Sequence, residues 1–201
     1  MDIFLSSASC YKKEMYLMKT KRLIAAILAV VMCLSAMALL SSCGNSKKDD
    51  AGITVQIGPN PETLDPALNS AVDGGNMLIT LYETLLIIDE DNKVQPGQAE
   101  KYTVSEDGLT WTFTMRDGLK WSNGDELTAK DFEWSWRRAA DPKTAADYSY
   151  LCAVFAGYDD TKGLAADDVV ASDDGKTLTV KLKAVTPYFL DLCAFPFFFP
   201  V

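Results

Sequence analysis

Residues 107–138, DGLTWTFTMRDGLKWSNGDELTAKDFEWSWRR, constrain the local fold more tightly than any other stretch of this 201-residue chain. Leu109, Trp111, Phe113 and Met115 alternate with Thr110, Thr112 and Thr114, which is the period of a half-buried β-strand. Arg116-Asp117-Gly118 and Ser122-Asn123-Gly124-Asp125 read as turns, because Gly after Asp or Asn tolerates a positive φ. Thr128 followed at the third position by Asp131 has the spacing of a capping box, which satisfies free amides at a helix start. Phe132 and Trp136 fall one turn apart on the inner face of that helix, and Asp141-Pro142 ends it. The fold class this predicts is mixed α/β.

The remaining elements follow the same logic. Residues 53–57 read as a first strand, and residues 59–66 and 69–76 as two loops. Residues 77–86 carry Met77, Leu78, Leu81, Tyr82 and Leu85 on one helical face, which core packing explains. Residues 86–88 lead through a turn over 89–93 into a short return strand, and Pro96-Gly97 opens the next connection. A helix is expected around 148–155, and a hairpin turns at Asp173-Asp174-Gly175 between Val169-Val170 and the alternating Leu178, Val180 and Leu182. Pro187-Tyr188-Phe189 begins a last helix, and residues 194–201 form an apolar stretch for which the sequence offers no partner.

The start of the chain carries an address. Lys19, Lys21 and Arg22 precede an apolar run over 23–40, and Leu40-Ser41-Ser42-Cys43 closes it. Basic residues, an apolar core and small residues at the cut describe a secretory signal, with Met18 as its start. Cys after Leu-Ser-Ser is the lipobox arrangement, in which the Cys43 thiol takes a diacylglycerol before cleavage. A plain membrane anchor is the competing reading, since the run is near the ~18 residues that span a bilayer. The small residues before Cys43 and the polar residues after it favour the lipoprotein. Residues 44–50, GNSKKDD, then serve as a polar tether.

Charge and residue inventory exclude several classes. Residues 1–42 hold five Lys/Arg and two Asp/Glu, so residues 43–201 carry 14 basic and 26 acidic side chains. That balance argues against nucleic acid, which demands a basic surface. The absence of His removes Ser/His and Cys/His nucleophile systems and His-ligated metals from this sequence. GxSxG, GxGxxG and P-loop strings are also absent. Asp159-Asp160, Asp167-Asp168 and Asp173-Asp174 read as solvated turns rather than acid/base pairs. No enzyme, cofactor or metal site is expected. With Cys10 and Cys33 in the removed region, Cys152 and Cys193 either pair in an oxidising compartment or sit as buried thiols, and their apolar neighbours favour the second.

The segment 107–138 resembles the signature of the extracytoplasmic solute-binding proteins of oligopeptide and dipeptide ABC importers, with Met115 for the usual Leu and Glu126 for the usual Pro. Residues 60–66 (NPETLDP), 81–86 (LYETLL), 96–100 (PGQAE) and 186–189 (TPYF) resemble further elements of that family. The resemblance implies a periplasmic-binding-protein-like fold of two lobes closing over a peptide. Residues 1–42 would be the signal, 43–50 the lipidated tether, and 51–201 the N-terminal portion of the binding domain. That portion would hold the start of the first lobe, the small second domain and the return toward the first lobe. Ligand contacts are expected from Asn69, Ser70, Ala71, Val72 and Asp73, and from Tyr148 and Tyr150. Some relatives carry an acidic residue where Ser70 stands, so recognition of a peptide's amino group does not carry over directly. Asp73 before Gly74-Gly75 is also explained by a turn, and the two tyrosines by helix packing. The implied partners are a peptide, the permease and ATPase of an importer, and the membrane through a lipid on Cys43. The protein would work as a monomer on the extracytoplasmic face. A surface adhesin or signalling lipoprotein on the same fold, or a receptor for a metal chelate or other solute, is the alternative.

Overall fold

Threonines alternating with large apolar residues build the centre of an antiparallel sheet, and a capped helix covers it. The computed structural model describes residues 54–56 and 58–201. Helix α1 (Val72–Leu81) comes first, followed by a hairpin of β1 (Leu86–Ile88) and β2 (Val94–Pro96). Strands β3 (Ala99–Val104) and β4 (Thr110–Met115), helix α2 (Ala129–Ala140), strands β5 (Val169–Ala171) and β6 (Thr177–Lys181), and the short α3 (Phe189–Leu192) complete the described strands and α-helices. The larger sheet runs β3-β4-β6-β5, all antiparallel. In β4, Thr112 stands opposite Thr103 on one side and Thr179 on the other, a row that suits a pleated, half-covered face. The opposite face carries Phe113, Met115, Leu178 and Val180, all buried.

Helix α2 lies against β5 and β6 and buries Phe132, Trp136 and Ala139. Its start is held as the sequence predicts: the Thr128 amide donates to the Asp131 carboxylate at 2.7 Å, and the Thr128 hydroxyl accepts from the Lys130 amide at 3.2 Å. The β5–β6 turn is fastened to the same point, because the Ala129 amide donates to the Gly175 carbonyl at 2.8 Å. Gly175 has φ +69°, and a side chain there would come within 2.9 Å of Thr128 Cβ, so glycine answers two demands at once. Phe189 of α3 fills the space beyond, its ring 5.4 Å from Trp111, 6.3 Å from Phe113 and 6.4 Å from Phe155.

Some expectations fall outside the described residues, and others need correction. The signal, the lipobox with Cys43, the tether, Ile53 and Ile57 lie outside the described residues, and residues 54–56 are not in a strand. The helix expected over 77–86 is α1, starting at Val72 and running through Gly74-Gly75; it ends at Leu81, which is exposed. Leu85 is buried, but from the turn before β1. Residues 99–104 form β3, an edge strand exposed beyond Ala99, where only a connection was expected. The helix around 148–155 is a 3-10 helix, Ser149–Val154, and the one after Pro187 has four residues. The terminal apolar stretch does have a partner. Phe197, Phe198 and Phe199 are buried, the Trp136 indole N–H donates to the Phe198 carbonyl at 2.8 Å, and the Val201 amide donates to Ser135 Oγ at 2.8 Å.

Cys152 and Cys193 are free buried thiols. Burial pushes Cys152 up to about 12 and Cys193 well above the usual thiol range, so neither is a nucleophile. Asp168 departs from the solvated turn expected of it. Its carboxylate is buried and accepts from the Gly157 amide at 2.7 Å and the Ala165 amide at 2.8 Å.

Trp136→Ala removes both the ring contacts and the hydrogen bond to Phe198, and should lower unfolding stability by about 3–5 kcal/mol in a denaturant titration. Thr128→Ala loses only the cap and should cost about 1 kcal/mol. Equal effects would show that the cap, not the packing, governs α2.

Candidate functional site

The loop that precedes α1 is shaped by one carboxylate. Asp65 takes the Ala67 amide on its side chain at 3.0 Å, and its carbonyl takes the amides of Leu68 at 3.1 Å and Asn69 at 3.0 Å. Arg138, in the last turn of α2, forks onto both carboxylate oxygens, with Nη1 at 2.9 Å from Oδ1 and Nη2 on Oδ2. The hydrogen-bonded Arg138 guanidinium holds the Asp65 carboxyl below the usual carboxylate range, against the opposing effect of burial. At the far end of the loop, the Asn69 side chain donates to the Ala71 carbonyl at 3.0 Å. Gly74 lets this happen, because a side chain there would overlap Asn69 Oδ1 and approach the Thr63 carbonyl at 3.2 Å.

A groove of about 290 Å³ runs along the start of α1. Asn69, Ser70, Ala71 and Val72 line its mouth, and Val72, Gly75, Asn76 and Ile79 form one stripe of the helix. Tyr148, Phe195 and Pro196 make the opposite wall. The Tyr148 ring stands edge-on to Phe195 at 5.7 Å and to Phe197 at 6.4 Å, which fixes that wall to the buried terminal stretch. Val72 is 81% exposed and Ile79 59%, so the helical side of the groove offers apolar surface that nothing among the described residues covers. Ala71 is extended, with φ −107° and ψ 149°, and no side chain caps α1. Among the described residues the amides of Ser70 and Ala71 have no hydrogen-bond acceptor.

Five of the seven residues expected to touch ligand within the described part therefore come together here: Asn69, Ser70, Ala71, Val72 and Tyr148. Asp73 does not line the groove; it sits in the first turn of α1, where an acidic side chain suits the helix dipole. Tyr150 stands edge-on to Tyr148 at 6.0 Å but lines a separate, open hollow with Tyr158, Asp159 and Asp160. Cys43 lies outside the described residues. Gly75, Asn76, Ile79, Phe195 and Pro196 are lining residues the sequence reading did not single out. The Val72, Gly75, Asn76, Ile79 spacing is helical, and the two glycines masked it by suggesting a loop. Among the described residues no group of His, Cys, Asp or Glu is arranged to hold a metal ion.

Comparison with known proteins agrees with this architecture. The sequence profile of bacterial extracellular solute-binding proteins, family 5 middle, matches residues 93–201. The oligopeptide-binding protein OppA of Bacillus subtilis is 41% identical over 167 residues, which is 80% of this chain and 30% of that protein. The solved structure of Haemophilus influenzae OppA in complex with RPPGFSPFR superposes with a TM-score of 0.66 at 35% identity, covering 72% of this chain and 29% of that one. The probable deoxycholate-binding periplasmic protein YgiS of Escherichia coli is 38% identical over 151 residues, 71% of this chain and 28% of that protein. The chain thus spans roughly 30% of the length of the curated relatives it matches.

The Asp65–Arg138 pair sets a pH dependence. Because folding lowers the Asp65 pKa, its stabilising effect is complete above the unfolded value, about pH 4, and is lost as pH falls through the lower folded value. Asp65→Asn should therefore lower stability by about 1–2 kcal/mol at pH 7, a figure discounted for partial exposure. Parallel thermal melts should show wild type and variant converging as pH falls below the unfolded carboxylate value, about pH 4. A gap that stays constant down that range would exclude the ion pair as its source.

Proposed function

Because the chain belongs to the family 5 bacterial extracellular solute-binding proteins, we propose that it forms one wall of a receptor that captures peptides outside the cytoplasm for an ABC importer. The observation that carries this reading is Ala71, extended just before α1 and with an amide that has no acceptor among the described residues, beside an apolar groove. An extended peptide can add to such an edge as a strand, with main-chain hydrogen bonds that ignore its sequence and a groove that receives its side chains. No bond is made or broken. The contacts come from the Asn69–Val72 loop and Tyr148, with Asp73 and Tyr150 as outlying supports. Captured peptide passes to a permease driven by an ATPase, after a hinge motion that closes and reopens the receptor.

The organisation that goes with this function is a signal over 1–42, a lipidated tether over 43–50 and a binding portion over 51–201. The lipid on Cys43 would hold the receptor at the membrane while its acidic body keeps it off the anionic surface. A second reading, an apolar solute that is not a peptide, is favoured by the similarity to YgiS and by the exposed Val72 and Ile79.

Native mass spectrometry of the full-length protein purified from its own cells should find co-purifying peptides. Ala71→Pro removes one amide donor at the groove just before α1, and because proline's φ of about −65° differs from the −107° of Ala71 the variant should also lose some stability. In calorimetry at a temperature where its circular dichroism matches wild type, it should weaken peptide binding about five- to tenfold, the value of one net hydrogen bond. Recovery of sterol-like solutes and no peptide would favour the second reading over peptide capture.

The anchor is tested separately. Cells given labelled fatty acid should incorporate it into the wild-type protein and not into Cys43→Ala, which should accumulate unprocessed. Equal labelling of both would rule out Cys43 as the lipid site.

A further inference from the structure

We propose that Gly75 is a specificity-determining residue: its missing side chain leaves the space in which the groove accepts one large apolar side chain of a bound peptide. This inference rests on the peptide-capture reading given above.

The two adjacent glycines of α1 are present for different reasons. Gly74 is required by the fold, since any side chain there would collide with Asn69. Gly75 is not. It has no positive φ, its amide makes the ordinary helical hydrogen bond to the Ala71 carbonyl at 3.0 Å, and a methyl on it would meet only Asn69 Nδ2, at 3.8 Å. Glycine destabilises a helix interior relative to alanine, so at this position the chain gives up helix stability with no steric return inside the protein. The return lies in the groove. Gly75 lines it between Val72 and Ile79, opposite Tyr148 and Phe195, and a side chain at this point would project into the space the groove encloses.

Size and chemistry identify the occupant. A cavity of about 290 Å³ is at or below the lower bound of those that enclose a whole small ligand, roughly 300 Å³. It suits one side chain of a longer chain whose backbone runs past the mouth at Ser70 and Ala71. Its walls are Val72, Ile79, Phe195, Pro196 and the ring of Tyr148, with Asn69, Ser70 and Asn76 as polar lining, and no charged side chain stands there to pair with an ionised one, so the groove favours apolar side chains. Leu and Phe are the residues it fits.

The test uses the full-length protein and an equimolar pool of synthetic pentapeptides in which each position in turn carries Ala, Leu or Phe. Bound peptides are counted by mass spectrometry. Wild type should enrich Leu or Phe over Ala at one position. Gly75→Leu should abolish that preference, by about tenfold or more, while Ala at that position is still accepted. Gly75→Ala should raise the melting temperature and reduce the preference partway. Ile79→Ala, which truncates an exposed side chain, should shift enrichment from Leu toward Phe. If wild type binds the pool with a positional preference that Gly75→Leu leaves unchanged, the inference fails and peptide capture stands. If wild type binds no member of the pool, both fail.

Discussion

The indole N–H of Trp136, donated to the carbonyl of Phe198, joins the covering helix to the last described residues of the chain. Because the indole is buried and edge-on to Phe198 at 5.0 Å, that hydrogen bond forms in a poorly hydrated setting, where leaving either group unpaired is costly. Through it α2 positions residues 195–198, and with them one wall of the groove. Two residues further along the same helix, Arg138 holds Asp65 and so the loop that forms the groove's mouth. The site therefore has a single frame. Its walls come from segments distant in sequence, and both the mouth loop and the Phe195–Pro196 wall are referred to one twelve-residue helix. Ser135 extends this role, since its hydroxyl donates to the Asp131 carbonyl within the helix and accepts the Val201 amide from outside it.

Acidic residues serve the turns rather than the chemistry. Asp89, Asp107, Asp159 and Asp174 each accept from a backbone amide in their own loop, and side-chain donors (Ser105, Thr161 and Ser172 for the last three) lead, with these amides, in keeping their carboxyls below the usual range, while at Asp89 the Lys93 amide leads. Such local bonds define Asx-type turns, which fix the loop without help from the core. Part of the negative balance of the body thus comes from residues that fix surface turns, and the groove lining carries no charged side chain.

Sequence made α2 legible because its signals are local. The capping box, the Phe132–Trp136 spacing and the Asp-Pro stop all act within a few residues of one another, and the helix begins and ends where they place it. The β5–β6 hairpin was legible for the same reason, with alternation on one strand and Asp-Gly at the turn. Helix α1 was displaced by five residues because its first turn contains Gly74-Gly75, and glycine pairs ordinarily signal loops. The reason for Gly74 is a contact with Asn69 that only the folded chain creates. Strand β3 was missed because it is an edge strand exposed beyond Ala99, so its residues carry no alternation to read. The partner of the terminal phenylalanines is likewise a tertiary fact, since nothing in residues 194–201 points to Trp136. For the candidate site, resemblance located the Asn69–Val72 mouth and Tyr148, while the helix stripe and the Phe195–Pro196 wall became visible only once both had been brought to α1.

Overall identity is a poor guide to what the groove holds. At 41% and 38%, the Bacillus oligopeptide-binding relative and the Escherichia protein whose name indicates deoxycholate are almost equally similar to this chain. Within this groove, what favours one such ligand over the other is the chemistry of the lining. A peptide and a steroid both present apolar surface, and Val72, Ile79 and Phe195 would bury either. Only a peptide brings a regular series of carbonyls, one of which can meet the Ala71 amide, and only a peptide projects side chains at a fixed interval along its length. On the proposed reading, an extended Ala71 with a free amide among the described residues and a hollow for one side chain together suit that periodicity. A steroid would fill the hollow and leave the edge amides without acceptors, at about 1–3 kcal/mol for each one cut off from water.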